Sequence, residues 1–129
     1  MDHAALSSLA DAFLAAWNTQ DVSRVLACYA TELEYRDPNT RGSVRGSDAM
    51  RNYLTKLFSK WTMHWVAREV HPLRDSTGVA LLWTGTFRRG PTGAVVTIDG
   101  MDLVILSGGL IARNDVYFDR SPLAALSGV

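Results

Sequence analysis

The sequence has little of what marks several large classes of protein. It contains one cysteine, Cys28, which cannot form an internal disulfide. Thirteen basic residues balance 13 acidic ones, so the chain has no net charge and lacks the basic excess that is typical of nucleic-acid binders. It also has no long apolar run and no basic leader. We therefore expect a cytoplasmic protein with no membrane segment and no nucleic-acid partner.

Motifs that bind phosphate groups, dinucleotides or metals are missing as well. There is no P-loop, no dinucleotide fingerprint and no nucleophile-elbow serine. His64 and His71 have an odd separation on one predicted strand, which predicts that they lie on opposite faces and cannot share a metal ion. Cys28 has no histidine near it in sequence and is typical of a small buried apolar residue. The sequence thus predicts neither a metal nor a cofactor.

The composition is that of an ordinary globular protein, with 47% hydrophobic residues and a length that suits one domain spanning residues 1–129. The first half of the chain shows the helical period. Apolar residues recur at that period over 6–17, with Asp2 as the cap, over 22–29, with Asp21 as the cap, and over 50–61, with Ser47 as the cap. A short strand at 33–37 and a loop at 38–46 separate the second predicted helix from the third.

After residue 61 the apolar period changes to two. This alternation predicts strands at 62–72, 79–88, 94–106 and 110–118, joined by turns, and a last helical turn at 121–126. Helices followed by an antiparallel meander indicate the α+β class, with three N-terminal helices packed on one face of a curved, mostly antiparallel sheet. Gly100, in the middle of the third long strand, predicts a bulge that helps the sheet to curl.

The third long strand is apolar on both of its faces. One set of alternating positions holds Ile98 and Val104, and the other holds Met101, Leu103 and Ile105. Because three helices cover only one face of a four-stranded sheet, the other apolar face needs a partner. A second copy of the chain is the simplest partner, and we expect a homodimer through the sheet.

The motifs of this chain resemble, in order and spacing, those of the nuclear transport factor 2-like superfamily, and within it the SnoaL-like and ketosteroid-isomerase-like proteins. The matching segments are FLAAWN at 13–18 followed by Asp21, the segment 29–38, RGSDAMR at 45–51, GMDL at 100–103, and GLI at 109–111 running to VYFD at 116–119. The resemblance implies a cone-shaped α+β roll, usually dimeric, with a deep apolar pocket for a small hydrophobic ligand. It does not select one activity, because the superfamily includes isomerases, cyclases, epoxide hydrolases and binding modules.

Asp37 is the first candidate catalytic residue. It ends the short strand and precedes Pro38. In ketosteroid-isomerase-like proteins a similar Asp-Pro holds the carboxylate that transfers the proton, so the resemblance implies that Asp37 is a general base. The alternative is an Asp37 that only caps its loop through backbone amides.

Asp102 is the second candidate catalytic residue. It has the same strand parity as the apolar positions Ile98 and Val104, and an acid among such neighbours needs an explanation. Its position resembles that of the neutral carboxylic acid that donates a hydrogen bond to the oxyanion in ketosteroid isomerase. The alternative is a structural carboxylate paired with Arg113 on the next strand.

The chain departs from the family at several positions of the expected pocket. The isomerases need a tyrosine on the first helix, where this chain has Phe13, and the cyclases and epoxide hydrolases carry an acid where it has Val116. Asn114 shares the parity of Val116 and is expected to face the pocket, whereas Asp115 faces the other way. Tyr53 either supplies a hydroxyl or is a core residue with its hydroxyl at the rim. We assign the ligand pocket to Phe13, Trp17, Tyr53, Asn114, Val116 and Phe118.

Two functions from different classes stay open. The first is a cofactor-free acid–base isomerase or cyclase, in which Asp37 removes a proton beside a carbonyl and Asp102, helped by Asn114, stabilises the oxyanion. The second is a non-catalytic ligand-binding or dimerisation module, which Phe13 and Val116 favour because they are apolar where relatives carry catalytic groups. The two functions differ in whether both aspartates lie in one cavity without an arginine that neutralises them.

Overall fold

The computed structural model describes residues 2–126, so the two ends of the predicted domain, Met1 and residues 127–129, lie outside the described residues. The predicted class, with helices packed before a mostly antiparallel sheet, is confirmed. In chain order the elements are α1 (His3–Asn18), α2 (Val22–Leu26), β1 (Tyr29–Arg36), β2 (Val44–Arg45), α3 (Ser47–Lys60), β3 (Trp61–Pro72), β4 (Gly78–Arg89), β5 (Val95–Ser107), β6 (Leu110–Tyr117) and α4 (Ser121–Leu126).

The first two helices begin as their sequences predict. Oδ1 of Asp2 accepts a hydrogen bond from the backbone N–H of Ala5 at 2.8 Å, and Oδ1 of Asp21 accepts one from the N–H of Arg24 at 3.0 Å. The third helix begins differently. Gly46, with a φ of +83°, occupies the cap position, and Ser47 is already helical, so the prediction of Ser47 as the cap is wrong.

The second helix is shorter than its apolar stripe predicts. It ends at Leu26, and Tyr29 begins strand β1 instead of closing the helix. The reason is a long-range pairing: Tyr29 lies opposite Ile111 of β6, whose N–H donates to the carbonyl of Cys28 at 2.9 Å. Hydrogen bonds to a partner strand therefore replace a last helical turn, and β1 starts earlier than the predicted strand at 33–37.

One mixed sheet holds all six strands, in the order β2-β1-β6-β5-β4-β3. The last four form the predicted antiparallel meander. Strand β1 joins this meander by pairing parallel with β6, and β2, which the sequence did not predict, adds a short antiparallel edge. The order puts the strand that leads to Asp37 two positions away from the strand that carries Asp102.

The buried face of the sheet follows the alternation of each strand. On β4 the buried side chains include Leu81, Trp83 and Phe87, and on β5 they include Asp102 and Val104. Helix α1 packs against β3 and β4, and α3 packs against β1 and β3. At the end of the chain, Oδ1 of Asp119 accepts from the N–H of Ser121 at 3.0 Å and so begins α4, which buries Leu123.

A bulge in β3 changes the face on which His71 lies. The pairing of β3 with β4 skips Arg68. Because of this extra residue, His64 and His71 both lie opposite even-numbered residues of β4, on the outer face of the sheet, so the prediction of opposite faces is wrong. They are far apart along the strand, and Nε2 of His71 contacts Oε1 of Glu69 at 2.9 Å.

Gly100 does not form a bulge. It lies opposite Trp83 in the regular register of β4 and β5, so that prediction is wrong, and the irregular pairings involve β1, β3 and the β5–β6 ladder instead. A Cβ atom at residue 100 would lie 2.5 Å from Cη2 and 2.7 Å from Cζ2 of the Trp83 indole. The glycine therefore makes room for that ring.

Replacing Gly100 with alanine should lower the free energy of unfolding by about 1–3 kcal/mol, because the new methyl group overlaps the Trp83 ring. The same change should have a smaller effect in a Trp83→Phe background, since a phenyl ring lacks the two crowded atoms. The effect should not vanish there, because the new Cβ would also lie 2.8 Å from the backbone oxygen of Tyr117. Urea denaturation of the four proteins measures both losses. Equal losses in the two backgrounds would show that Gly100 does not accommodate the indole.

Candidate active site

A cavity lies between the helices and the inner face of the sheet. The empty space between its walls amounts to about 540 Å³, including the open mouth. The carboxyl and amide side chains in its lining are those of Asp37, Asn39 and Asp102. Most of the remaining wall is aromatic, contributed by Phe13, Trp17, Tyr35, Trp61, Trp65, Trp83, Phe87 and Phe118.

Asp37, directly after β1, uses its acceptor capacity within the protein. Its Oδ1 accepts from the backbone N–H of Asn39 at 2.7 Å and of Thr40 at 3.0 Å. Its Oδ2 accepts from the hydroxyl of Tyr35 at 2.6 Å and from that of Tyr53. Burial, reinforced by the charge of Asp37, raises the pKa of both phenols, so they stay protonated donors. Asp37 thus both lines the cavity and caps its loop, and so combines the two alternatives.

Asp102, on β5, is 6% exposed, and among residues 2–126 no cation is within ion-pair distance of it. Its Oδ1 accepts from Nε1 of Trp83 at 2.8 Å, and its Oδ2 accepts from Nδ2 of Asn114 at 3.1 Å. Burial raises the pKa of Asp102 to about 6, although these two hydrogen bonds lower it, and the charge of Asp37 adds to the rise. Each oxygen keeps a lone pair, so this carboxyl group can exchange a proton.

Asn114 lies behind Asp102 and is not among the residues that line the cavity. It is fully buried, and its Oδ1 accepts from the Tyr29 hydroxyl at 2.7 Å. Its Nδ2 donates to Asp102 and, at 3.4 Å, to the carbonyl of Leu103. Because these contacts use both of its N–H groups, Asn114 orients the carboxyl group of Asp102. The expectation that its amide faces the pocket and stabilises an oxyanion is corrected accordingly.

The other residues predicted to form the pocket fall into two groups. Tyr53 is outside the lining, and it contributes its hydroxyl to Asp37. The aromatic side chain of Tyr53 packs on Tyr35, with ring centroids 5.4 Å apart. The predicted residues that do line the cavity are Phe13, Trp17, Val116 and Phe118.

The arginine considered as a partner for Asp102 lies on the other side of the sheet. Nη2 of Arg113 donates to Oδ2 of Asp115 at 2.7 Å, and Nη2 of Arg36 contacts the same oxygen at 3.3 Å. Asp115 lies opposite Leu103, on the outer face. Burial alone raises the pKa of Asp115, but hydrogen bonds from the two arginines lower it on balance. The alternative in which Arg113 neutralises Asp102 is therefore wrong.

Two residues that hold the carboxylates, Tyr35 and Trp83, are not among the predicted site residues. Tyr35, on β1, precedes Asp37, directly after that strand, by two residues, so their equal parity was a usable signal for a contact between them. Trp83 had no such signal. Its contact with Asp102 depends on the register of β4 against β5, which puts Leu81 opposite Asp102 and leaves the indole beside it.

Residues 2–126 also include groups and elements outside the cavity that bear on function. In that range no group of three or more His, Cys, Asp and Glu side chains is arranged to hold a metal ion. None of the helices there is long and apolar enough to cross a membrane. Cys28 is half-buried, and burial raises the pKa of its thiol. The cytoplasmic location and the lack of a nucleic-acid partner stay predictions from the sequence.

The sequence and the fold agree with a known family. A profile of the SnoaL-like domain matches residues 10–114, and the chain belongs to that family. Solved structures of similar shape show that the fold is nuclear transport factor 2-like. Among curated proteins, none matches the sequence significantly.

Three solved structures illustrate the similarity. A ketosteroid isomerase-like protein from Erwinia carotovora atroseptica SCRI1043 is 22% identical, with a TM-score of 0.71 over 89% of this chain and 94% of that one. A protein with a ketosteroid isomerase-like fold from Catenulispora acidiphila DSM 44928, crystallised in complex with trimethylamine, is 16% identical, with a TM-score of 0.81 over 94% and 92%. TerC, co-crystallised with polyporic acid, is 18% identical, with a TM-score of 0.79 over 95% and 97%.

Replacing Asp102 with asparagine should change how stability depends on pH. The pKa of Asp102 is about 6 in the folded protein against an ordinary value of 3.8, so the folded state holds the proton more tightly than the unfolded state. The stabilisation that this tighter proton binding gives the folded state is lost as the pH rises from about 4 to about 6. Over this range the free energy of unfolding of the wild type should fall, relative to Asp102→Asn, by roughly 3 kcal/mol and then stay level.

Chemical denaturation at several pH values measures this difference. Asp99→Asn, at an exposed position of the same strand, is the control and should show no such trend relative to the wild type. A difference between wild type and Asp102→Asn that stays constant with pH would contradict the raised pKa.

Proposed function

We propose that this chain is a cofactor-independent acid–base enzyme that isomerises or cyclises a small, largely apolar substrate. The observation that carries the proposal is the presence of two carboxyl groups, of Asp37 and Asp102, in one aromatic cavity, whose lining within residues 2–126 contains no Arg, Lys or His. A buried carboxyl group without a cation is costly, and groups of this kind cluster at functional sites.

We assign the proton transfer to Asp102. A general base works best when its pKa lies near the operating pH, and burial raises the pKa of Asp102 to about 6. Asp37 is the fixed negative charge, because its oxygens already accept four hydrogen bonds from the protein. This assignment moves the role of general base from Asp37, where the sequence predicted it, to Asp102.

In the proposed step, a carboxylate oxygen of Asp102 removes a proton from the carbon beside a substrate carbonyl, and the C–H electron pair forms an enolate. If Asp102 returns the proton to a different carbon, the net reaction is an isomerisation. If the enolate instead attacks a second carbonyl carbon of the same substrate, Asp102 returns the proton to the new alkoxide and the reaction is a cyclisation. In both reactions Asp102 ends ionised, as it began.

The second candidate function, a non-catalytic binding module, is favoured by Phe13. This residue lines the cavity at the position where the isomerases have a tyrosine, and it offers no hydroxyl to an oxyanion. The fold relatives crystallised with trimethylamine and with polyporic acid are compatible with both functions, because each complex concerns a small molecule bound to a protein of this fold.

A deuterium-exchange assay distinguishes the two functions without a known substrate. A small cyclic enone is incubated with the protein in D₂O, and NMR follows the replacement of its α-protons. Exchange above the buffer rate should rise with pH through about 6 and then level off, because Asp102 accepts a proton only when it is ionised. Asp102→Asn should lose this exchange, and the matched control Asp99→Asn should keep it.

Each other outcome has a definite meaning. Exchange that falls above pH 6 would show that Asp102 acts in its protonated form and would overturn the assignment of the base. If the enone binds, as shown by shifted Trp signals, but its protons do not exchange, the enzyme function is wrong and the binding module is the better description.

We also propose that two copies of the chain associate through the outer face of the sheet. The described helices pack on the inner face, and the outer positions of the central strands carry partly buried apolar side chains, those of Leu82, Met101, Leu103 and Ile105. Tyr117, opposite Met101, is 51% exposed. An apolar patch of this kind, here next to the ion pairs of Asp115, is typical of a self-complementary interface.

Leu103→Glu should convert the proposed dimer into a monomer, because it puts a charge in the centre of this surface beside Asp115. The control is Ala15→Glu, at an exposed position of α1, which should leave the dimer intact. Sedimentation velocity of the three proteins measures their mass. A monomeric wild type at concentrations of tens of micromolar would overturn the proposal.

A further inference from the structure

The cavity contains negative charge that the protein does not neutralise. The carboxylate oxygens of Asp37 and Asp102 accept hydrogen bonds from neutral donors only. These donors are two phenols, an indole, an amide and two backbone N–H groups. Neutral donors reduce the cost of burying a carboxylate but leave its net charge in place. Whenever both carboxyl groups are ionised, the site therefore has a net negative charge that no cation among the described residues balances.

The walls around this charge are aromatic rings that contact one another. Trp65, Trp83, Phe118 and Phe87 form a closed circuit, in which successive ring centroids are 6.4, 6.0, 6.0 and 5.8 Å apart. Trp17 extends the circuit, with its centroid 5.5 Å from that of Trp65. The faces of such rings carry partial negative charge and attract cations, tryptophan most strongly.

Two arginines contact residues of the cavity lining but do not belong to it. The guanidinium carbon of Arg89 is 5.3 Å from the ring centroid of Trp61, and Nε of exposed Arg120 donates to Oδ1 of Asn39 at 3.1 Å. Trp61 and Asn39 belong to the lining, but Arg89 and Arg120 do not. Neither arginine forms an ion pair with the carboxyl groups of the cavity.

A neutral carbonyl ligand finds few free donors next to the two carboxylates, although the buried indole Nε1 of Trp17, in the same lining, has no hydrogen-bond partner among residues 2–126. Asp37 already accepts hydrogen bonds from the hydroxyls of Tyr35 and Tyr53. Asp102 already accepts them from the indole N–H of Trp83 and from the side-chain amide of Asn114, which lies behind it. A cation needs no donor from the protein. It gains from both carboxylates and from the ring faces at once.

We infer that the substrate of this site carries a small alkylammonium group, either a protonated tertiary amine or a quaternary ammonium, held between the carboxylates and the aromatic circuit. The inference rests on the proposed function, since the cation would be a part of the molecule on which Asp102 acts. Asp37 supplies a second counter-charge, and the rings replace the water that the cation loses on entry. Binding of the cation and ionisation of Asp102 then favour each other.

Choline and its neutral carbon analogue 3,3-dimethyl-1-butanol provide a matched pair of probes of equal shape. Isothermal titration calorimetry and the NMR shifts of the Trp indole signals measure their binding at pH 8 and pH 5. Choline should bind at least about tenfold more tightly than the alcohol at pH 8. Its advantage should shrink at pH 5, where Asp102 is protonated, whereas the affinity for the alcohol should not change with pH.

Two aspartate variants distinguish the effect of the charge in the cavity on choline binding from the effect of the net charge of the whole protein. Asp102→Asn should remove the pH dependence of choline binding, while Asp99→Asn, which deletes an exposed carboxylate from the outer face of the same strand, should leave it unchanged. Trp65→Leu should weaken choline binding more than binding of the alcohol. Equal affinity for the two probes at pH 8, or an unchanged preference in Asp102→Asn, would overturn the inference.

The enone exchange assay separates failure of this inference from failure of the proposed function. If choline shows no advantage but the enone still exchanges its protons, the substrate is neutral and the enzyme function stands. If choline is preferred but no exchange occurs, the cation site stands and the catalytic proposal is wrong.

Discussion

The hydrogen bond from the indole of Trp83 to the carboxyl group of Asp102 is the interaction on which the cavity depends. It is possible only because Gly100, opposite Trp83 on the neighbouring strand, has no side chain in the space that the ring occupies. The same ring packs edge-on against Trp65 and Phe118, so one side chain both builds the aromatic wall and anchors the acid. A polar contact of this kind in an apolar interior is strong, and losing it leaves the carboxyl group unsatisfied.

Three aspartates of this chain show how surroundings decide the chemistry of one side-chain type. Asp115 is held by two arginines, and its carboxylate stays ionised. Asp37 is held by four neutral donors and serves as a stationary charge. Asp102 has two neutral donors and deep burial, and that burial raises its pKa to about 6. The proposed proton transfer and the proposed affinity for a cation both follow from this difference.

Much of the fold could be predicted from short stretches of sequence, since the signals involved are local. The caps at Asp2 and Asp21 form as predicted, and the apolar alternation marks the four long strands. The errors at Tyr29, Gly100 and His71 have a common cause. Each of these residues is placed by a partner strand or by a bulge relative to that strand, and no window of ten or so residues contains this information.

For the site, the sequence by itself determined that Asp37 ends a strand before Pro38 and that Asp102 lies at a core-facing position of a long strand. Parity along one strand is set by the backbone, whatever the rest of the molecule does. Only the tertiary structure decided that both carboxyl groups share one cavity, that Asn114 and Tyr53 hold them, and that Arg113 pairs with Asp115. These contacts depend on which strands are neighbours and in what register, and that choice is made by the packing of the whole core.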